Sequence, residues 1–282
     1  MVYGLGDLEP LNSKPSTLNS QLSTLNHIRD IPNNIPYFFI NMKNKKPLYI
    51  VLWFCLLMPM IIWAQQDSAR YRFCPSAPVA KDHEGNLYRT VQIGSQCWMA
   101  ENMRCTTSPS GHRWHRNPRF SASQPEYAPY YANATDLRHG NLYNWAAAMD
   151  MSNHQNSSKA VTGPVRGICP EGWRLPNNED WDRLFSTLGG HKVAGEKMKE
   201  PSHMWDPYYS ILRDQTGFDA LPAGTYTESG NQAYGLQTYF WCADNFSRNE
   251  AWCCILYDYK NDGYSYLDYK CYGHSVRCVK EN

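Results

Sequence analysis

The chain has 282 residues, and its 27 lysines and arginines nearly balance its 26 aspartates and glutamates, which leaves a formal net charge of +1 at pH 7. Beyond the N-terminal segment described next, the sequence has neither a basic run nor a basic helical face. Nucleic acid is therefore excluded as an expected partner.

Residues 42–64 have the pattern of a secretory signal peptide. Three lysines precede an apolar run over residues 48–62, and Ala64 follows it. The run is shorter than the roughly 20 residues that span a bilayer, so the pattern favours cleavage after Ala64 over an uncleaved membrane anchor. Residues 1–41 are interpreted as the product of a start codon assigned too early, or as a disordered extension.

The rest of the chain predicts one exported domain. Residues 65–80 are interpreted as a linker, and residues 81–282 are long enough for a single domain with a sizeable core. We expect the protein to be secreted, periplasmic or at the cell surface, with no membrane span after cleavage.

The domain is predicted to open with two strands. Residues 87–93 alternate in the way of a strand, and residues 96–100 form a return strand after a Gly94-Ser95 turn. Residues 106–140 are polar and lack periodicity, which predicts a long surface loop.

Two short helices follow in the prediction. Residues 142–149 have apolar side chains at helical spacing. A second helix begins after Asn177, a capping residue, and ends at Gly189 and Gly190. Its apolar stripe, typical of a helix packed on a core, consists of Trp181, Leu184, Phe185 and Leu188.

The last sixty or so residues are predicted to be strands and turns. Residues 251–259 and 264–269 are aromatic strands, and the Lys260-Asn-Asp-Gly263 turn between them is a strong hairpin signal. Cys253 and Cys254 are adjacent, so their side chains should point to opposite faces and have different partners.

Nine cysteines remain after signal cleavage. In an exported protein they indicate disulfides, and an odd number leaves at least one free or intermolecular thiol. None has the Cys-x-x-Cys spacing of a zinc or redox site. They are Cys74, Cys97, Cys105, Cys169, Cys242, Cys253, Cys254, Cys271 and Cys278.

Several motifs occur in a fixed order: Trp98-Met-Ala-Glu-Asn-Met-Arg104, Gly140-Asn-Leu-Tyr-Asn-Trp145, Cys169-Pro-Glu-Gly-Trp-Arg-Leu-Pro176, Gly217-Phe-Asp-Ala-Leu-Pro-Ala-Gly224 and Ser275-Val-Arg-Cys278-Val. Together they resemble the Fibrobacter succinogenes major paralogous domain, a family of exported bacterial proteins. Trp173-Arg-Leu-Pro and the closing Ser-Val-Arg also resemble, more faintly, the formylglycine-generating enzyme group. This resemblance implies an α+β, C-type-lectin-like fold: a small twisted antiparallel sheet, two short helices and long loops.

Cys169 and Cys278 are predicted to form a disulfide. Cys169 precedes the turn into the second helix and Cys278 lies on the final strand, and both belong to the two segments that most resemble the family. The functional motifs of the related folds are absent, since the chain lacks the Glu-Pro-Asn and Trp-Asn-Asp motifs of calcium-dependent lectins. It also lacks a match to the catalytic cysteine pair of the formylglycine-generating group. The fold alone then supplies no function.

Candidate metal and catalytic residues have simpler explanations. His112 and His115 lie in a loop with no third ligand nearby, so they are interpreted as surface histidines. The last hairpin lacks the spacing of a calcium loop. Glu179 and Asp182 lie in the first turn of a helix, where the helix dipole explains acidic residues. No catalytic residue, metal ligand or cofactor is therefore predicted. The acidic residues considered as candidates are Glu179, Asp182, Asp258, Asp262 and Asp268.

Four aromatic residues in the long loop are the predicted ligand-binding residues: Trp114, Tyr127, Tyr130 and Tyr131. Exposed aromatic side chains on a loop are suited to holding a sugar ring or a partner protein. The alternative is that they only pin the loop to the domain.

The sequence thus predicts an exported, non-catalytic module that binds an unknown glycan or protein ligand at the cell envelope. One alternative is an enzyme of the formylglycine-generating or hydrolase type, whose site converges only in three dimensions. Another is a structural surface protein in which an unpaired cysteine links copies.

Overall fold

The computed structural model describes residues 72–116, 126–129, 137–151, 161, 163–201, 204–205 and 216–281. The segments 1–41 and 42–64, with the predicted signal peptide, lie outside these described residues. Within them, most regular structure is sheet. The strands are β1 (Val79–Lys81), β2 (Leu87–Ile93), β3 (Gln96–Met99), β4 (His115–Arg116), β5 (Glu126–Pro129), β6 (Asn141–Tyr143), β7 (Trp173–Arg174), β8 (Thr225–Thr227), β9 (Gly230–Gln232), β10 (Gln237–Asn245), β11 (Glu250–Tyr257), β12 (Gly263–Tyr269) and β13 (Val279–Lys280).

One antiparallel sheet joins the beginning, the middle and the end of the domain. Its strand order is β1-β2-β3-β13-β7, so the last strand lies between two strands from far earlier in the chain. Val279 pairs with Trp98 on one side and with Arg174 on the other. Cys169 and Cys278 form a disulfide beside this junction, closing a loop with a sequence separation of 109 residues.

The segment before Lys81, interpreted above as a linker, takes part in this sheet. Its strand β1 pairs with β2, and Cys74 is fully buried and bonded to Cys97 in β3. The ordered fold therefore includes residues 72–80.

A second antiparallel sheet, β10-β11-β12, lies between two hydrophobic clusters. Trp241 and Cys253 join one cluster, whereas Phe240 and Cys254 join the other. This alternation follows from the two-residue period of a strand. The predicted opposite orientation of Cys253 and Cys254 is confirmed, but the prediction that they have different disulfide partners is wrong, because both are buried free thiols.

Three α-helices occur among the described residues, not two. They are α1 (Trp145–Ala148), α2 (Asn178–Thr187) and α3 (His191–Met198). The predicted helix over residues 142–149 was too long at its start, because Tyr143 pairs with His274 and Asn144 caps a helix that begins at Trp145.

Helix α2 begins with a capping box. The Asn177 side chain accepts a hydrogen bond from the Asp180 backbone N–H at 2.9 Å, and the Asp180 carboxylate accepts one from the Asn177 N–H at 2.9 Å. A cap of this kind stabilises a helix by about 1 kcal/mol. The predicted stripe is confirmed: Trp181, Leu184 and Phe185 are fully buried.

Helix α3 was missed because it has no side-chain cap and contains a glycine. Ala194 and Met198 bury one side of the helix in the same cluster as α2. Tertiary packing therefore outweighs its weak intrinsic propensity.

The predicted long loop contains short regular elements. Strands β4 and β5 are parallel, β6 pairs antiparallel with β5, and a 3₁₀ turn covers Leu137–His139. The architecture is thus α+β, with few short helices and several small sheets. No described helix is long and apolar enough to cross a membrane.

Candidate binding face

The last hairpin and the neighbouring strand β10 carry a surface of five tyrosines, here called the tyrosine face. Register places most of them on one side of the sheet, because Tyr266 is opposite Cys253, Tyr264 is opposite Ile255, and Ile255 is opposite Tyr239. The tyrosine face consists of Tyr239, Tyr257, Tyr259, Tyr264 and Tyr266.

Part of the opposite side of this sheet and one end of this side are buried. Leu256 packs in the cluster of α2 and α3, and Trp241 packs in the other cluster. The tyrosines lie beyond that end, and Tyr259 and Tyr266 are 53% and 45% exposed. The tyrosine face is therefore an open aromatic surface on a rigid support, as binding sites often are.

Lys260 lies close to three of these rings. Its ammonium is 4.9 Å from the ring centroid of Tyr257, 5.4 Å from that of Tyr259 and 5.1 Å from that of Tyr264. Each cation–π contact at an exposed site contributes about 0.5–1 kcal/mol. The lysine side chain is thus held in one place although it is only half-buried.

Helix α3 holds the turn that carries Lys260. The Glu196 N–H donates to the Asn261 carbonyl at 3.0 Å, and the Lys199 ammonium donates to the Lys260 carbonyl at 2.7 Å. Gly195 permits this approach, because a Cβ there would lie 2.2 Å from the Asp262 carbonyl oxygen. The turn is therefore supported by packed backbone.

Lys199 is itself nearly fully buried beneath the turn. Burial lowers its pKa from 10.5 to about 8, partly opposed by the negative charge of Asp258. Its ammonium also lies 5.3 Å from the ring centroid of Trp205. The negative charge of Asp258 therefore partly offsets the charge of the buried Lys199.

Three of the tyrosine hydroxyls have a raised pKa. The hydrogen bond to Asp262 raises the pKa of Tyr264 to about 12, and burial raises the pKa of Tyr257 and Tyr239. The tyrosine face therefore offers flat rings together with neutral O–H groups.

The structure places two of the four predicted binding residues against the core. Trp114 and Tyr127 are half-buried, and their rings lie 6.0 Å apart. Trp114 also contacts the ring of the fully buried Tyr143 at 5.8 Å. Tyr130 and Tyr131 lie outside the described residues.

A threonine, a histidine and an aspartate line up behind Tyr239. The Thr225 hydroxyl is 3.0 Å from His274 Nδ1, and His274 Nε2 is 3.1 Å from an Asp268 carboxylate oxygen. His274 is fully buried, however, and stacks on Tyr239 at 4.7 Å. Since Thr225 is only 6% exposed, its hydroxyl is not open to a substrate, and the line of residues supports the sheet.

A pocket of about 270 Å³ lies at the start of α2, lined in part by Arg174, Asn177 and Asp244. Its polar groups are engaged within the protein: Asp244 accepts a hydrogen bond from the Asn178 N–H at 2.5 Å, and Arg174 forms two with Asp180. Burial raises the pKa of Asp244. These groups hold the helix start.

The metal candidates do not converge. Asp258 is buried, Asp262 accepts a hydrogen bond from the Tyr264 hydroxyl, and Asp268 faces His274. His112 and His115 are half-buried in their loop. In the described part of the chain, no group of three or more His, Cys, Asp or Glu side chains is placed to hold a metal ion.

The motifs that carry the family resemblance build the core. The Arg277 guanidinium is fully buried, donates to Asn102 at 2.6 Å and lies 4.5 Å from the Phe218 ring centroid. It also donates to the Phe218 carbonyl. Three motifs thus meet at one arginine, and burial lowers its pKa to about 9.

The family described as Fibrobacter succinogenes major domain matches residues 91–280. The chain belongs to this family. Searches of curated proteins and of solved structures find no match. In this Fibrobacter succinogenes major domain, the buried motifs specify the fold. Most residues of the candidate binding face lie between the motifs quoted above: Tyr257, Tyr259, Lys260, Tyr264 and Tyr266.

These face residues were missed by sequence reasoning, which predicted the last hairpin and assigned no ligand-binding residue to it. A signal was present, because Tyr264 and Tyr266 must share one side of a strand. The sequence pattern does not indicate which side of that strand is left exposed to solvent.

Proposed function

We propose that the protein is an exported, non-catalytic module that binds a glycan or a protein ligand at the cell envelope through the tyrosine face. The observation that carries the proposal is the cluster of five half-buried or exposed tyrosines on a sheet that is packed on the core through Trp241 and Leu256. Tyrosine offers a large, rigid and amphipathic contact area at a small cost in side-chain entropy. Such contiguous exposed aromatic surfaces mark interaction sites.

Export is part of the same proposal. It is supported by the pattern of residues 42–64 and by two disulfides, Cys74–Cys97 and Cys169–Cys278, which are typical of oxidising compartments. N-terminal sequencing of the native protein should begin at Gln65 or within a few residues. A native protein that retains residues 42–64 would contradict export with cleavage.

We also propose that the fold is C-type-lectin-like. The supporting features are the small antiparallel sheets, the short helices and the closing of the domain by its last strand. An experimental structure that superposes on lectin-like domains would support this proposal, and a different strand order would reject it.

Binding is tested with the purified full chain on a glycan array and on isolated cell-envelope polysaccharide and protein. The variant Tyr259→Ala/Tyr266→Ala removes the two most exposed rings of the tyrosine face. Tyr269→Ala is the matched control, because Tyr269 is 51% exposed at the far end of the same strand. Loss of a specific, saturable interaction in the double variant alone supports the proposal; equal loss in both variants contradicts it.

The two rivals have separate readouts. An enzyme would turn over an acyl or glycosyl substrate, and Tyr259→Ala/Tyr266→Ala would leave that turnover unchanged. A structural surface protein would form disulfide-linked copies in non-reducing gels, through a thiol such as that of Cys271, which is only half-buried. Either result, without a ligand for the tyrosine face, would replace the binding proposal.

A further inference from the structure

The charged residues around the tyrosine face differ in their partners. Two carboxylates flank the tyrosines, and both have partners: Asp262 accepts from the Tyr264 hydroxyl, and Asp268 faces His274 Nε2. The Lys260 ammonium forms no ion pair within the described part of the chain. Neither carboxylate is paired with Lys260, so the Lys260 ammonium is available to pair with an anionic group of a ligand.

Several contacts hold this cation. Its ammonium lies within 5.4 Å of three tyrosine ring centroids, and the Lys199 ammonium donates a hydrogen bond to the Lys260 backbone carbonyl. A charge that is already ordered loses little side-chain entropy when a ligand pairs with it. The arrangement is suited to recognising an anion at a set distance from an aromatic surface.

The neighbouring groups define the rest of the ligand. The Tyr257 ring centroid lies 5.4 Å from that of Tyr259 and 6.1 Å from that of Tyr264. Flat rings accept the apolar side of a sugar ring, and the neutral hydroxyls exchange hydrogen bonds with sugar hydroxyls. A ligand that matches these rings, hydroxyls and single cation is a sugar that bears a carboxylate.

We propose that Lys260 and the surrounding tyrosines bind an acidic sugar, with the sugar ring against the tyrosine rings and its carboxylate paired with the Lys260 ammonium. This inference rests on the proposed function and names the ligand class of the same site. The ammonium would exchange part of its cation–π contact for a charge-assisted hydrogen bond, which is the stronger interaction.

The test uses the full chain and calorimetric titration with short oligomers of galacturonic, glucuronic and mannuronic acid. Each oligomer is compared with its methyl ester, which keeps the sugar ring and removes the charge. At least one acid should bind about tenfold more tightly than its ester, and added salt should reduce this difference.

Two substitutions separate the charge from the packing. Lys260→Met keeps an apolar side chain and should remove the preference for the acid, whereas Lys260→Arg should retain it. Lys192→Met, at an exposed lysine of α3, is the matched control and should bind like the parent protein. Thermal melting of each variant checks that the fold is intact.

The outcomes distinguish the inference from the proposed function. If acids and esters bind equally through the tyrosine face, the acidic-sugar inference is wrong and the binding proposal stands. If no sugar binds but Tyr259→Ala/Tyr266→Ala abolishes binding of a purified envelope protein, the inference is wrong and the ligand is a protein. If binding of no ligand depends on the tyrosine face, both the acidic-sugar inference and the binding proposal are wrong.

Discussion

Replacing Gly195 with alanine tests how α3 supports the binding turn. In an ordinary exposed helix this change stabilises by about 1 kcal/mol, because glycine has more conformational freedom to lose. Here the added methyl would lie 2.2 Å from the Asp262 carbonyl oxygen and 2.6 Å from its carbon. Ordinary contacts of this kind begin near about 3.4 Å, so the helix and the turn must separate by roughly 1 Å.

That separation strains the hydrogen bond from Glu196 to Asn261, now 3.0 Å long. Overpacking costs about 1–3 kcal/mol, and a lost hydrogen bond costs about 1 kcal/mol more. The net effect of Gly195→Ala should be a loss of about 1–3 kcal/mol in the free energy of unfolding, measured by urea denaturation.

The shifted turn should also weaken ligand binding at the tyrosine face. Lys192→Ala, on the exposed side of the same helix, is the control and should change stability by less than about 0.5 kcal/mol. A stabilised Gly195→Ala variant with unchanged binding would refute the close packing of α3 against the turn.

Three further predictions concern stability. Removing Cys169–Cys278 by double alanine substitution should cost about 4.8 kcal/mol in the chain-entropy model, against about 3.4 kcal/mol for Cys74–Cys97, because the closed loops have sequence separations of 109 and 23 residues. Peptide mapping of the unreduced protein should recover both pairs, and recovery of Cys169 as a free thiol would contradict the first. Burial lowers the pKa of Lys199 from 10.5 to about 8, so the unfolded chain binds this proton more tightly than the folded protein does. The free energy of unfolding, relative to that of Lys199→Met, should therefore rise by about 2 kcal/mol from pH about 7 to about 9.5. A free-energy difference between the two proteins that does not change with pH would refute the lowered pKa. Trp114→Ala should lower the free energy of unfolding by about 2 kcal/mol and leave ligand binding unchanged. Loss of binding with an unchanged melting temperature would instead indicate that the ligand binds at the loop that contains Trp114.

Local signals in the sequence predicted the parts of the fold that local physics decides. Asn177 has the capping chemistry and Trp181 the spacing that a packed helix requires, so α2 could be read directly. Helix α3 could not, because its stability comes from packing at Ala194 and Met198, and its glycine is explained only by the approach of the Asp262 carbonyl. That contact joins residues far apart in sequence.

The candidate site was missed for a related reason. Trp114 and Tyr259 are both aromatic residues in polar segments, and nothing local separates them. The structure distinguishes them, because Trp114 packs on buried Tyr143 whereas Tyr259 is 53% exposed beside Lys260. Exposure is set by which side of a sheet the rest of the chain covers, and the sequence pattern of a single strand does not contain that information.

Chemical labelling of tyrosines, with and without bound ligand, tests the central claim most directly. The free protein should be labelled at Tyr259, Tyr266 and Tyr269, which are all well exposed. A saturating ligand should protect Tyr259 and Tyr266 and leave Tyr269 reactive. Protection of Tyr127 with full labelling of Tyr259 and Tyr266 would place the ligand on the loop and contradict the tyrosine face as the binding site.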